Sequence, residues 1–203
     1  LDQISNLVPT GRSDLNYTNI FELLIAVILS AQTTDERVNL VTPALFDRYP
    51  SINDLAYANI KDVEEIISSL GLFRSKANNL VAMANVLLDD FQGKVPNRLE
   101  DLIKLPGVGR KTANVVLSEG FKIPAIAVDT HVKRVAYRLG LTESFNPVII
   151  EKDLEEFFPK HLWGRAHISL VHFGRYFCKA QKPRCSECPF QKICVFYQHN
   201  MTK

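Results

Sequence analysis

The sequence has no long hydrophobic run. Among its 203 residues the longest apolar stretch is Phe21–Leu29, which Glu22 interrupts and which is far shorter than the ~20 residues of a membrane-spanning helix. Low-complexity tracts and tandem repeats are also lacking, and 46% hydrophobic against 23% charged residues is the balance of a globular protein rather than a disordered one. The first residues show no secretory signal pattern. We therefore expect a globular protein with no membrane partner and an intracellular, cytoplasmic location.

Strand-like alternation of apolar and polar residues is missing as well. Most segments instead have helical periodicity or helix-capping signals, and Phe21–Leu29 is apolar on nearly all sides, as expected for a helix at the centre of a helical domain. Phe121–Pro124 has the character of a linker. The sequence therefore predicts an all-α fold with many short helices and a boundary near Pro124.

Acidic residues are scarce in the C-terminal half. Residues 1–101 hold 8 Lys and Arg against 14 Asp and Glu, a net charge of −6, whereas residues 102–203 hold 16 against 8, a net charge of +8. A basic half beside an acidic half indicates a polyanion partner for the C-terminal part.

Cysteine is rare, and its four copies are clustered. Cys178, Cys185, Cys188 and Cys194 are separated by six, two and five residues. Four thiolates this close in sequence can enclose one metal centre, and disulfides are not expected in an intracellular chain. Zinc sites more often show two close cysteine pairs, whereas this sequence has one, and iron–sulfur clusters are also held by four cysteines. The spacing by itself leaves zinc and iron open.

A glycine-rich turn joins two short helical segments within residues 102–113. Its sequence is Leu105-Pro106-Gly107-Val108-Gly109, and the second helix starts at Arg110. Glycine lets a phosphate approach the backbone closely, and the N–H groups and dipole of a helix N-terminus favour an anion. The pattern therefore favours a helix-hairpin-helix that holds DNA phosphate over a plain helical hairpin.

Two residues are candidates for chemistry. Lys111 stands at the start of the second hairpin helix, where a cation is disfavoured, and a neutral amine there would be a nucleophile for an electrophilic carbon. Asp129, within Val128-Asp129-Thr130-His131, is expected to cap the next helix, and an anchored carboxylate can still accept a proton or stabilise a nearby cation. The simpler alternatives are a solvated lysine and a carboxylate that only caps.

The loop between the first two cysteines is basic. Lys179, Lys182 and Arg184 place three cations within six residues. Such a loop is suited to phosphate contacts, and the alternative is a solvated basic loop.

Together these features resemble the endonuclease III family of DNA glycosylases over nearly the whole chain. The resemblance rests on Leu-Pro-Gly-Val-Gly-Arg-Lys-Thr-Ala-Asn-Val-Val at 105–116, Val-Asp-Thr-His at 128–131, the cysteine spacing, and the segments 21–24 and 29–32. It implies the helix-hairpin-helix DNA glycosylase fold, in which two helical domains, 13–123 and 1–12 plus 124–203, flank a DNA-binding cleft. It also implies a 4Fe-4S cluster, rather than zinc, on the four cysteines.

The resemblance implies a bifunctional DNA glycosylase/AP lyase of base excision repair. Its partner would be double-stranded DNA with oxidised pyrimidines or abasic sites, bound by a monomer, at the nucleoid if the source is bacterial. A damaged base is flipped out of the duplex, Lys111 attacks the anomeric carbon and forms a Schiff base, and beta-elimination cleaves the strand 3′ to the abasic site. Asp129 would face Lys111 across the cleft, and would activate the lysine or stabilise positive charge on the sugar.

The resemblance also assigns DNA-binding residues. Gln32 would fill the space left by the flipped base, Leu72 would wedge the opposite strand, and His131 would lie near the lesion strand. The alternative is that Leu72 packs beneath Phe73 and Gln32 satisfies backbone groups. The other predicted contacts come from the hairpin and the basic loop: Leu105, Gly107, Val108, Gly109, Arg110, Lys182 and Arg184.

Related enzymes and a different protein class are the alternatives. Adenine-mismatch glycosylases lack the lysine and use a glutamate near the N-terminal Gln motif, whereas residues 28–32 contain no acid here. Thymine-mismatch relatives carry tyrosine in place of the lysine. A non-catalytic DNA-binding or electron-transfer protein would need neither Lys111 nor Asp129. These two residues therefore favour the lyase.

Overall fold

A computed structural model describes residues 1–8 and 14–201. Within these ranges every regular element is helical and no strand occurs, which confirms the predicted all-α class. The twelve α-helices of the described residues are α1 (Asp2–Ser5), α2 (Ile20–Leu29), α3 (Asp35–Arg48), α4 (Ile52–Ala56), α5 (Ile60–Ile66), α6 (Phe73–Phe91), α7 (Leu99–Leu102), α8 (Arg110–Val115), α9 (Thr130–Leu139), α10 (Pro147–Phe157), α11 (Trp163–His172) and α12 (Val195–Met201). None of them is long and apolar enough to cross a membrane.

The chain divides into two compact units. One consists of residues 14–121, and the other combines the two ends of the chain, with residues 1–8 and 122–201 described. The predicted boundary between residues 12 and 13 lies outside the described residues. The division observed here falls between residues 121 and 122, and the predicted domain boundary between residues 123 and 124 stays a prediction.

The unit of residues 14–121 is built around α2. Eight of the ten residues of this helix are buried, as expected from its all-round apolar sequence, and it packs against α3, α6 and α8. The side chain of Asn19 caps α2 by accepting a hydrogen bond from the backbone N–H of Glu22, 2.9 Å away. The helix predicted for residues 110–119 is α8 followed by a π-helical turn at Val116–Gly120.

The other unit has its own core, to which the N-terminal segment contributes. Asp2 on α1 pairs with Arg165 on α11, and this contact holds the first residues against the C-terminal part of the chain. The largest hydrophobic side chains of this core come from residues far apart in the chain: Ile4, Val8, Ile126, Val128, Val132, Val135, Ile150, Leu154, Leu170, Phe173 and Phe177. The chain ends therefore fold into one unit with residues 122–201.

Candidate functional site

The turn between α7 and α8 is anchored by apolar residues. Leu105 and Val108 are buried, and the backbone N–H of Val108 donates to the carbonyl of Leu105 over 3.0 Å. Gly107 has φ +79°, and a Cβ there would lie 3.1 Å from Cβ of Asn79 and 3.3 Å from Cγ2 of Ile28. Glycine is thus required at position 107 by both backbone conformation and space. The contacts predicted between Leu105 or Val108 and DNA stay predictions, and their side chains serve the turn.

The residues that follow the turn face solvent. Gly109 precedes α8 and has no side chain to cap it, so the start of α8 offers backbone N–H groups to an external anion. A Cβ on Gly109 would meet no atom within 4 Å. Arg110 and Lys111 are exposed, and within the residues that the structure describes the ammonium group of Lys111 has no hydrogen bond or ion pair. The hairpin therefore presents an accessible lysine next to an anion-binding helix start.

Asp129 caps α9. Its Oδ1 accepts a hydrogen bond from the backbone N–H of Val132 over 2.7 Å, and α9 ends at Gly140, which has φ +74°. The hydrogen bond confirms the predicted cap. The carboxylate is half-buried, so its position is restrained while solvent can still reach it.

His131 lies in the first turn of α9 and contacts Arg134. Nη2 of Arg134 is 3.2 Å from Nδ1 of His131. Because a guanidinium can only donate, Nδ1 is the acceptor, and the neutral ring then carries its proton on Nε2. Burial lowers the pKa of His131, which favours the neutral ring at neutral pH. The Cβ of His131 would lie 2.9 Å from a Cβ at Gly174, so glycine at this position lets the π-helical turn Phe173–Phe177, which follows α11, approach His131.

Gln32 and Leu72 share an unusual backbone. Their φ angles are +54° and +59°, a left-handed backbone conformation that residues other than glycine rarely adopt. Both residues are exposed. The Leu72 side chain is 61% exposed, so it does not pack beneath Phe73. In the described part of the chain the Gln32 side chain forms no hydrogen bond with backbone groups. The packing alternative for these two residues therefore finds no support in the structure.

The four cysteines line one pocket together with apolar side chains. Cys178, Cys185, Cys188 and Cys194 are unpaired by disulfides, and stacked Phe173 and Phe177 form part of the same wall. Burial raises the pKa of the Cys185 and Cys188 thiols, and neighbouring cysteines add to the effect. A cationic metal centre would reverse this shift, because a metal-bound thiol is deprotonated.

The four cysteines that line this pocket are the kind of ligand set by which iron–sulfur clusters are held in proteins.

Arg138 on α9 hydrogen-bonds to the basic loop between Cys178 and Cys185. Its guanidinium donates to the carbonyls of Lys179 and Ala180 over 2.7 and 3.2 Å, lies 3.4 Å from Sγ of Cys178, and stacks 4.1 Å from the ring centroid of Phe196. The arginine is buried, so these contacts replace its lost hydration. They also place a positive charge beside a cysteine sulfur.

Two cations of the basic loop, Lys182 and Arg184, differ in their contacts. Arg184 forms an ion pair with Glu187 and lies 5.0 Å from the ring centroid of Phe177, whereas Lys182 is exposed and has no such partner among the described residues. Both remain candidates for phosphate contacts, and Lys182 can meet a phosphate without breaking an existing ion pair.

Sequence reasoning missed four residues that support these sites. Arg134 and Arg138 are spaced i, i+4 on α9, which is a detectable signal, but the sequence does not show that they are turned towards the cysteine loop. Arg134 donates to the carbonyls of Gly174 and Cys178 over 2.7 and 3.2 Å. Thr33 and Lys76, which hydrogen-bond to each other, gave no signal, because they are 43 residues apart.

Comparison with known proteins agrees with this arrangement. Residues 25–160 match the family model described as HhH-GPD superfamily base excision DNA repair protein, and residues 178–194 match the iron-sulfur binding domain of endonuclease III. The endonuclease III of Synechocystis sp. is 48% identical over 192 residues, which is 94% of this chain and 88% of that protein.

Solved structures with the same fold contain DNA. A non-covalent endonuclease III–DNA complex has a TM-score of 0.94 at 45% identity and covers 100% of this chain and 95% of its own. A trapped endonuclease III–DNA covalent intermediate has a TM-score of 0.93 at 45% identity and covers 98% of this chain and 94% of its own.

This chain therefore belongs to the endonuclease III family within the HhH-GPD superfamily of base excision DNA repair proteins. It is a base excision repair enzyme, a DNA glycosylase with AP lyase activity. Its cysteine segment binds a 4Fe-4S cluster, and the pocket lined by the four cysteines fits that group.

Substitution of the two hairpin glycines separates folding from DNA binding. Gly109→Ala adds a methyl group to open space, so the free energy of unfolding should change by less than about 0.5 kcal/mol. The methyl group would stand where a phosphate approaches, so the Kd for intact and damaged duplexes should rise alike, by about fivefold, as for one lost hydrogen bond. Thermal unfolding and fluorescence anisotropy measure the two effects.

Gly107→Ala is the comparison. It should lower the free energy of unfolding by about 1 kcal/mol or more, because the new Cβ is crowded and the φ angle is positive. Unchanged DNA affinity in Gly109→Ala would show that the helix start does not hold phosphate.

The cluster should order the C-terminal loop. Purified protein should contain about four irons per chain with broad visible absorption, and Cys188→Ser should lose iron, melt earlier and bind DNA less tightly. Ser186→Ala, at an exposed position in the same loop, should retain iron and is the control. Iron analysis, visible spectra and thermal unfolding measure these properties, and one zinc per chain after expression with ample iron would contradict the assignment.

Proposed function

We propose that this enzyme excises oxidised pyrimidines from double-stranded DNA and cleaves the strand at the abasic site through a Schiff base on Lys111. The observation that carries the proposal is the exposed Lys111, without an acidic partner in the described chain, at the start of the hairpin helix. A relative at 45% identity has been trapped as a covalent intermediate with DNA, which supports a nucleophilic residue in this family.

The chemistry assigned to Lys111 has two stages. The neutral amine attacks C1′ of the sugar, the glycosidic bond breaks, and the departing base takes up a proton. The sugar ring opens and the amine nitrogen forms an iminium with C1′. This iminium acidifies C2′, so loss of a C2′ proton allows the C3′–O bond to break, and the downstream strand leaves with the phosphate as its 5′ end. Hydrolysis of the imine then returns Lys111 to its free form.

Asp129 is assigned to the same reaction. Its cap hydrogen bond to Val132 restrains the carboxylate, and the half-buried position keeps it open to a ligand. A carboxylate there accepts the proton of the Lys111 ammonium or stabilises positive charge that develops on the sugar. The cap and the chemical role are compatible, because the cap bond is made by one carboxylate oxygen.

The remaining roles concern DNA. Gln32 fills the gap left by the flipped nucleotide and Leu72 wedges between bases of the opposite strand, which offsets the few kcal/mol that unstacking costs. Their exposed, left-handed turns support these roles. His131 binds near the lesion strand. The hairpin residues Leu105, Gly107, Val108, Gly109 and Arg110, with Lys182 and Arg184 of the basic loop, position the backbone without reading sequence.

The partner of this enzyme is DNA. A non-covalent complex with DNA is known for a relative that covers the whole of this chain. We assign duplexes with oxidised pyrimidines or abasic sites as substrates, a monomer as the active form, and an intracellular location associated with DNA.

Trapping with borohydride tests the nucleophile. Reduction of the iminium should link the wild-type protein covalently to a duplex with an abasic site, because a secondary amine cannot hydrolyse. Lys111→Gln should bind this duplex and form no covalent product. Lys104→Gln, in the same hairpin but paired with Asp101 at 2.8 Å, should be trapped like the wild type. Undiminished trapping of Lys111→Gln would move the nucleophile elsewhere.

Asp129→Asn tests the carboxylate. Asparagine caps a helix about as well as aspartate, so the melting temperature should stay near that of the wild type. Single-turnover excision of thymine glycol should fall by about 100-fold or more, as for loss of a general acid–base group. Excision near the wild-type rate would leave Asp129 as a cap only.

A further inference from the structure

Lys76 hydrogen-bonds to both of the turns that carry Gln32 and Leu72. It lies on α6, four residues after Leu72, and its backbone N–H donates to the carbonyl of Leu72 over 3.0 Å. Its side chain runs to the other turn, where Nζ donates to Oγ1 of Thr33 over 2.7 Å. The two turns are separated by about 40 residues of chain, and Lys76 links them through its backbone N–H on one side and its side chain on the other.

The burial of Lys76 is unfavourable for the stability of the fold. Lys76 is only 4% exposed, and the hydroxyl of Thr33 is the hydrogen-bond partner of its ammonium group in the described part of the chain, with no carboxylate in an ion pair. Burial lowers the pKa of Lys76, which reflects the loss of hydration of its charged form. A buried ammonium without a counter-charge lowers stability relative to an apolar side chain of similar size. Stability therefore does not explain why a lysine occupies this position.

The two turns need support of this kind. Gln32 and Leu72 are both exposed and both in the left-handed conformation, which persists only when the surroundings enforce it. Leu72 is the N-cap of α6 and has no side-chain cap hydrogen bond of its own. Two residues that enter one duplex from separate turns must also keep a fixed spacing, because errors near 1 Å are expensive in such sites.

We propose that Lys76 is a positioning residue: its hydrogen bond to Thr33 fixes the Gln32 turn relative to the Leu72 turn, so that both side chains enter the duplex as one unit. The inference rests on the DNA-inserting roles proposed above for Gln32 and Leu72. Lys76 itself is buried and acts through these residues rather than on the DNA.

The test compares variants that remove the linking hydrogen bond from one end or the other. Thr33→Val keeps the shape and removes the hydroxyl, together with its 3.4 Å hydrogen bond to the carbonyl of Ala31, whereas Thr33→Ser keeps the hydroxyl. Lys76→Met keeps the length, removes the ammonium and does not touch the bond to Ala31. Thr33→Val and Lys76→Met should slow single-turnover excision of a paired thymine glycol by about tenfold, as for loss of a hydrogen bond to a charged group. Cleavage at a pre-formed abasic site should change by less than about threefold, because that nucleotide is cheaper to extrude.

Rescue by a conservative variant, the effect of the double variant and the fluorescence of the opposite base distinguish positioning from packing. Thr33→Ser should restore excision, and the Thr33→Val/Lys76→Met double variant should be no slower than either single variant, because both remove one interaction. The fluorescence of 2-aminopurine opposite the lesion should rise on binding of the wild type and of Thr33→Ser, and rise less with Thr33→Val. Lys61→Met removes a surface lysine paired with Glu64. It should leave excision, abasic-site cleavage and 2-aminopurine fluorescence at their wild-type values.

Gln32→Ala and Leu72→Ala, measured on the same two substrates, separate failure of this inference from failure of the proposed function. If these two variants lose excision of the paired lesion selectively while Thr33→Val loses nothing, or loses both substrates equally with a lower melting temperature, Lys76 is not a positioning residue and the proposed roles stand. If Gln32→Ala and Leu72→Ala show no selective loss, the inserting roles are wrong and the positioning role is wrong with them.

Discussion

The C-terminal part of the structure depends on the hydrogen bonding of one buried guanidinium. Arg138 is removed from water, so its N–H groups need protein acceptors, and they find them in the carbonyls of Lys179 and Ala180. These carbonyls belong to the loop that follows Cys178, while Arg138 belongs to the helix that Asp129 caps. Order in the cysteine segment and order in the candidate catalytic helix are therefore coupled through this side chain, and Arg134 on the same helix adds a hydrogen bond to the carbonyl of Cys178.

A pair of helices has the corresponding role in residues 14–121. The Gln32 turn follows the end of α2, and Leu72 is the residue immediately before α6. The hairpin turn rests on the same pair, because Gly107 approaches Ile28 of α2 and Asn79 of α6. Three elements with proposed DNA contacts are thus carried by α2 and α6, whose packing sets the distances between them.

The two candidate catalytic residues both lie at the start of a helix. Lys111 lies in the first turn of α8 and Asp129 is the N-cap of α9, so each is placed by a helix start rather than by a flexible loop. A helix start fixes the backbone while it leaves the side chain near solvent. The same position supplies N–H groups suited to an anion beside Lys111, so the proposed phosphate contact and the proposed nucleophile share one element.

The sequence by itself determined the features that depend on neighbours a few residues apart. Capping of α9 by Asp129, its end at Gly140, the buried α2 and the single clustered cysteine segment all follow from local hydrogen bonds, periodicity and spacing. The all-α class and the family likewise follow from such local patterns.

The tertiary structure decided which side chains are buried and which distant residues meet. The burial of Arg138 beside Cys178, the exposure of Leu72 and the contact of Lys76 with Thr33 across 43 residues depend on how helices pack. A single sequence does not encode these in any local pattern, because a lysine or arginine has the same local propensities whether its charge ends in water or against a partner that packing brings to it.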